Sequence, residues 1–269
     1  GAMHDSAERD PPPRCHPGTR EKAIEDIVRW IEEPNPSSSV LWVNGRAGVG
    51  KTALMQKIAE RGGIYFGGCF FFRRGVPGCN QKGGLFSTLA YQLAMNIPGM
   101  LEHVERAVSK DSSLPKKAAD IQLQQLIVEP IKLLPLLPYC PIIIIDGLDE
   151  CENHESQRDI LSLVSRVSRD PSVPIRFIIA SRPEYQICSV FNQESLLSTT
   201  RRLVLDEEYD SASDIELYLQ DELADINRCN TDVMDQVGTP GPSPLEAIIS
   251  TLVNRASGQF IYAATVIKY

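Results

Sequence analysis

Gly45-Arg-Ala-Gly-Val-Gly-Lys51-Thr52 spaces glycines, a lysine and a threonine as G-x-x-x-x-G-K-[ST]. Residues of these types, so spaced, can hold phosphate. Glycines let successive backbone N–H groups turn into one concavity that binds anionic oxygens. Gly45, Ala47, Gly48, Val49 and Gly50 form that turn, and Lys51, Thr52 and Ala53 open the helix that follows it. The helix N-terminus adds about half a positive charge. Lys51 would neutralise β- and γ-phosphate charge, and the Thr52 hydroxyl would face Mg²⁺. The bland alternative is a glycine-rich turn with an exposed lysine, but the flanks argue against it. The apolar run Val40-Leu-Trp-Val43 leads in, and a helix-compatible stretch from Thr52 to Glu60 leads out.

A second group is Ile142-Ile-Ile-Ile-Asp146-Gly-Leu-Asp149-Glu150. Four consecutive isoleucines read as a strand buried on both faces. In an open α/β sheet ligands bind at the carboxyl ends of strands, where Asp146 falls. Asp146 is the candidate for the Mg²⁺ shell. Asp149 or Glu150 would position or deprotonate an attacking water. A third group, Ala180-Ser181-Arg182-Pro183-Glu184, puts an arginine at another strand end, within reach of a γ-phosphate. Arg73 and Arg74 follow a further strand candidate, Cys69 to Phe72, in the same way but with less support. His4, His16, His103 and His154 show no ligand spacing, and no nucleophile triad is suggested.

The elements that must position these groups can be read from periodicity. Ile24, Ile27, Val28 and Ile31 recur at helical spacing, and Pro34 ends that helix. Strands are expected at 40–43, 69–72, 142–145, 176–180 and 202–205. Helices are expected from Gly83 to Ile97, from about Asp120 with a kink or restart at Pro130, and from Glu155 to Arg169, whereas 98–119 is weakly patterned. Beyond about residue 206 only helices follow. Ser213-Asp-Ile-Glu216 and Ser243-Pro-Leu-Glu246 read as capping boxes flanking a loop over 228–243, and an apolar helix closes the chain from Phe260 to Lys268. Alternating strands and helices imply a parallel sheet covered on both faces. The fold class is therefore α/β: a P-loop NTPase with a five-stranded parallel sheet sandwiched by helices, plus a small C-terminal helical subdomain. The expected divisions are a leader over 1–13, a nucleotide-binding domain over 14–208 and a helical subdomain over 209–269. Gly1-Ala2-Met3 looks like a tag-cleavage scar, and the proline-rich leader is expected to be flexible.

Composition narrows the partners. Lys+Arg number 27 against 35 Asp+Glu, a net charge of −8 that disfavours wrapping a nucleic acid. No apolar stretch reaches bilayer length; Leu133 to Ile145 is short and broken by Pro135, Pro138 and Pro141. The cysteines number seven, an odd count without a C-x-x-C, which favours a reducing, cytoplasmic setting over a disulfide framework.

The chain resembles the NACHT branch of the STAND NTPases, in particular the NACHT domains of large fungal proteins. The resemblance rests on Pro17-Gly-Thr-Arg-Glu21, Val28-Arg-Trp-Ile31, the loop Gly45 to Thr52, Thr88-Leu-Ala-Tyr-Gln-Leu93, Ile145-Asp-Gly-Leu-Asp-Glu-Cys151, Ser181-Arg-Pro-Glu184 and Ala256-Ser-Gly-Gln-Phe-Ile-Tyr-Ala263. It implies a five-stranded sheet with an extra strand between the phosphate-loop and acidic strands. It also implies a switch that binds Mg²⁺ with ATP/ADP or GTP/GDP, hydrolyses slowly, and forms a homo-oligomer when triphosphate-bound. Fungal relatives are linked to non-self recognition and regulated cell death. By the same resemblance Arg182 matches the γ-phosphate sensor, and Thr19 and Arg20 match the segment that meets the nucleotide from the N-terminal side. Related branches carry Gly-x-Pro near the base, where this chain has Gly258-Gln-Phe260. Two alternatives stay open at this point: a small-molecule kinase using the same phosphate cradle, and an oligomerisation module that binds nucleotide without turnover.

Overall fold

The structure is a computed structural model that describes residues 1–34, 37–205, 209–229 and 244–269. Its elements in chain order are α1 (Glu21–Glu32), β1 (Val40–Asn44), α2 (Lys51–Arg61), β2 (Phe66–Phe71), α3 (Leu85–Asn96) and α4 (Met100–Lys110). A helical stretch follows: α5 (Ala119–Gln122), a π-helical segment (Leu123–Val128) and α6 (Glu129–Lys132). Then come β3 (Ile142–Asp146), α7 (His154–Ser168), β4 (Arg176–Ser181), α8 (Tyr185–Phe191), α9 (Glu194–Leu197), β5 (Thr200–Val204), α10 (Ser211–Cys229), α11 (Pro244–Ala256) and α12 (Phe260–Lys268).

The five strands form one all-parallel sheet in the order β2-β3-β4-β1-β5. The class and strand number are those the sequence implies. The extra strand, β2, lies between the phosphate-loop and acidic strands in the chain, but in space it is an edge strand. It is β4 that separates β1 from β3.

Every residue of β1, β3 and β4 is buried, as a sheet covered on both faces requires. Side chains alternate between two cores. Trp42, Phe70, Ile143, Ile145, Phe177 and Ile179 point into one, against α3, α7 and α8. Leu41, Val43, Phe71, Ile142, Ile144 and Ile178 point into the other, against α1 and α2. A third cluster, built on Ile215, Leu219, Ile249, Ala256 and Ala263, belongs to α10–α12 alone. The helical subdomain thus has its own core.

Several elements depart from their expected limits. The weakly patterned stretch 98–119 contains α4, of which only Met100 is fully buried; Val104, Ala107 and Val108 merely lean on the core. The break expected at Pro130 takes the form of a π-helical segment just before it, which accommodates a residue lacking an N–H without ending the helix. The cap of α10 is Asp210, not Ser213: its carboxylate accepts from Ala212 N–H at 3.0 Å, from Ser213 N–H at 3.2 Å and from the Ser213 hydroxyl at 2.6 Å. Most of the loop expected over 228–243, and the cap at Ser243, lie outside the described residues. The leader 1–13 lies against the sheet. Phe71 N–H on the edge strand donates to Ala2 C=O at 2.8 Å, and the Arg9 guanidinium stacks 3.7 Å from the Phe71 ring centroid. An edge strand offers unpaired backbone groups, and the leader satisfies one of them.

α1 is fixed at its C-terminal end by the buried Arg176 at the start of β4. Its guanidinium donates to Trp30 C=O at 2.6 Å, Ile31 C=O at 3.1 Å and the Glu33 carbonyl. These are the carbonyls a helix end leaves without partners. Arg176→Met should therefore lower unfolding stability by about 2–4 kcal/mol, read from the urea midpoint; a change within experimental error would mean the carbonyls find water instead.

Candidate functional site

The C-terminal ends of all five strands open on one rim. The loop leaving β1 passes to α2 on one face, while those leaving β3 and β4 pass to α7 and α8 on the other. That reversal opens a crevice at the rim. It contains a cavity of about 780 Å³ lined by the phosphate loop, the acidic turn after β3, Arg182, the segment before α1, and residues of α10 and α12.

The loop after β1 has the shape a phosphate cradle needs. Gly48 and Gly50 adopt φ of 77° and 93°, conformations that turn the N–H groups inward and that L residues resist. Lys51 Nζ donates to Gly45 C=O at 2.6 Å and Arg46 C=O at 2.9 Å, lying along the loop it follows. Ala47, Gly48, Gly50, Lys51, Thr52 and Ala53 line the cavity. Gly45 and Val49 do not line it; their carbonyls instead hold Lys51 and Arg20.

Asp146 ends β3 at 2% exposure, with the Thr52 side chain near enough to favour its ionised form. Burial pushes its carboxyl up to about 7, against the opposing pull of the Thr52 side chain and the Arg9 and Lys51 charges. Its Oδ1 is buried and meets no hydrogen-bond partner among the described residues. An orphaned carboxylate oxygen next to a threonine hydroxyl, on the wall of a phosphate-shaped loop, is a donor set that fits a hard divalent cation.

The two carboxylates that the sequence leaves as alternatives are separated by their partners. Asp149, 3% exposed, has both oxygens engaged by Arg182: Oδ1 accepts the backbone N–H at 2.9 Å and Oδ2 lies 3.2 Å from Nε. Arg182 thus reaches the cavity while tied to Asp149. Glu150 is only partly buried. Its Oε2 accepts Arg74 N–H at 3.0 Å, and among the described residues no protein donor meets Oε1.

Thr19 and Arg20 reach the cavity from the segment before α1. Thr19 folds back, its hydroxyl donating to His16 C=O at 2.7 Å. Arg20, in the left-handed region at φ 60°, sends a buried guanidinium to Val49 C=O at 2.8 Å. Asp214 of α10 accepts the Arg20 N–H at 3.1 Å, and its carboxylate lies 3.8 Å from Nε. The guanidinium also sits 5.1 Å from the Phe260 ring centroid. One side chain therefore joins the phosphate loop to two helices of the subdomain. α12 completes the wall: Ile261 N–H donates to Gly48 C=O at 3.1 Å. Further from the phosphate loop the cavity is lined by His16, Pro17, Tyr218, Glu222 and Phe260. The His16 ring meets Tyr218 edge-on at 5.3 Å and bonds Asp221 at 2.8 Å. The sequence named Phe260 only through the resemblance, and it gave no sign of Tyr218, Glu222 or Ile261, because apolar and aromatic residues in an amphipathic helix look like core.

Two measurements follow. Asp146 in the folded chain keeps its proton to about pH 7, whereas unfolded it ionises near the ordinary value of 3.8. Between those values the unfolded state binds fewer protons, so ligand-free stability should fall as pH rises and level off above about 7. Asp146→Asn should flatten that slope in urea titrations across pH; an unchanged slope would refute the assignment. Gly48→Ala would place a Cβ 2.3 Å from Ile261 Cγ2, whereas a Cβ on Gly50 meets nothing within 4 Å. Both glycines carry positive φ, so the excess loss of Gly48→Ala over Gly50→Ala isolates the α12 contact. It should be about 1–3 kcal/mol by chemical denaturation.

No curated protein matches the chain. A family model described as Nephrocystin 3, N-terminal, matches residues 18–182, from the turn before α1 to the arginine after β4. The match spans the phosphate loop, the acidic turn and Arg182, more than half of the chain, and agrees with the NACHT-like character of the motifs. The chain belongs to the nephrocystin 3 N-terminal family.

Proposed function

We propose that this chain is a nucleotide-dependent switch that binds a Mg²⁺–nucleoside triphosphate and hydrolyses it slowly. One observation carries the reading: a single cavity gathers the phosphate loop, the Thr52–Asp146 pair, Glu150, Arg182 and the N-terminal end of α12. Thr52 and Asp146 would hold Mg²⁺, which when bound would draw charge from the phosphate oxygens. The loop N–H groups and Lys51 bind and neutralise the phosphates. Glu150 accepts a proton from, or orients, the attacking water. Arg182 exchanges its bond to Asp149 for the γ-phosphate and so reports whether the third phosphate is present.

The switch reading is favoured over mere structural binding because the helical subdomain itself walls the cavity. Ile261 and Phe260 touch the phosphate loop and Arg20, so occupancy of the cradle bears on how α10–α12 sit. By resemblance to NACHT proteins, that motion would control self-association of the whole protein in non-self recognition or cell-death signalling.

The test is thermal unfolding with ATP, ADP, GTP and GDP, each with Mg²⁺, beside phosphate release without any acceptor. A ligand that binds only the folded state adds about 2.7 kcal/mol at a hundredfold excess over its dissociation constant. A shift with one base, abolished in Lys51→Ala, together with acceptor-free phosphate release, is the expected result. Turnover only with an added acceptor would make the protein a kinase. Binding without release would make it a non-hydrolysing module, and no shift with any of the four would refute nucleotide binding.

A further inference from the structure

The loop that follows β2 is bonded along its length to the acidic turn after β3. Phe72 N–H donates to Asp146 C=O at 2.9 Å. A Cβ on Gly147 would stand 3.0 Å from Phe72 O, and Gly147 itself has φ 68°, so the two segments pass at a separation only glycine allows. Arg74 N–H donates to Glu150 Oε2 at 3.0 Å, and Arg74 Nη2 donates to Asp149 C=O at 3.1 Å. Glu152 N–H donates to Asn80 C=O at 2.8 Å. The loop is also closed on itself: Arg73 N–H meets Cys79 C=O at 2.9 Å, and Cys79 N–H meets Val76 C=O at 3.0 Å. It is therefore a folded brace, not a slack connection.

We infer that Arg74 is a positioning residue for hydrolysis, acting through Glu150. This rests on the hydrolytic reading above. Asp149 is 3% exposed and keeps the Arg182 main-chain N–H on Oδ1 when the guanidinium turns to phosphate, so the more exposed Glu150 is the carboxylate of the pair placed to orient water. A carboxylate on a short turn has rotamer freedom that would smear a water-orienting geometry. Arg74 restricts it at two points. The main chain holds one carboxylate oxygen, and the guanidinium holds the carbonyl of the preceding residue, fixing the distance between brace and turn. Arg74 does not line the cavity and touches no residue of the phosphate loop among the described contacts, so its loss should spare ground-state binding.

The experiment compares Arg74→Ala, Arg74→Lys, Glu150→Gln and the Arg74→Ala/Glu150→Gln pair with the unsubstituted chain. Three readouts are taken: phosphate release, affinity for ADP and GDP, and the additional thermal stabilisation that aluminium fluoride gives with Mg²⁺ and the diphosphate. Arg74→Ala should slow release by about 10- to 100-fold. Diphosphate affinity should stay within about twofold, and the aluminium fluoride increment should shrink. Arg74→Lys, which keeps a donor for Asp149 C=O, should recover part of both. The double variant should be no slower than Glu150→Gln, because residues acting as one unit are not additive. Wild-type release in Arg74→Ala, or losses that add in the double variant, would overturn the inference while leaving hydrolysis standing. Absence of release from the unsubstituted chain would instead overturn the hydrolytic reading, and this inference with it.

Discussion

All five strands run the same way, so each connection must cross back over a sheet face. Every carboxyl end then opens on the same rim. This constraint brings together groups far apart in the chain. The phosphate loop leaves β1, Asp146 ends β3, Arg182 follows β4, and the Arg74 brace follows β2. The insertion of β4 between β1 and β3 sets the spacing: it holds Arg182 between the phosphate loop and the acidic turn, where its guanidinium meets Asp149.

The rim also carries conformational and electrostatic costs. Asp146 is buried with one oxygen that meets no donor among the described residues, and its carboxyl is pushed up to about 7 by that burial. Gly48, Gly50 and Gly147 hold positive φ, and Arg20 does so without being glycine. Elsewhere several buried polar groups find partners close by. Arg176 meets the end of α1, Trp42 Nε1 donates to the Ser181 hydroxyl at 2.9 Å, and Gln92 donates to Cys69 C=O at 2.8 Å.

The helical subdomain is bound to this rim by few contacts of high specificity. Its buried apolar side chains form a cluster of their own. Arg20, reaching Val49, Asp214 and Phe260, and Ile261 on Gly48 connect the two bodies at the phosphate cradle itself. The junction between the sheet and the helices thus lies on the cavity wall.

The sequence by itself determined the short-range features. Strand positions, the glycine-lysine cradle, Asp146 at a strand end and the C-terminal helix Phe260–Lys268 are all encoded within a few residues, as periodicity and turn chemistry are. β5 was placed two residues late at its start because Arg201 and Arg202 are exposed there and blur the apolar run, and α4 was missed because one buried methionine makes no pattern. Only the tertiary structure decided strand order, the placement of β2 at the edge, and which of two adjacent acidic residues Arg182 engages. Asp149 and Glu150 are equivalent as neighbours in a sequence. Their surroundings diverge because Arg182, 33 residues on, bonds one and Arg74, 76 residues back, bonds the other. Such pairings depend on which chain segments cross the sheet side by side, a property of the whole fold that no local window contains.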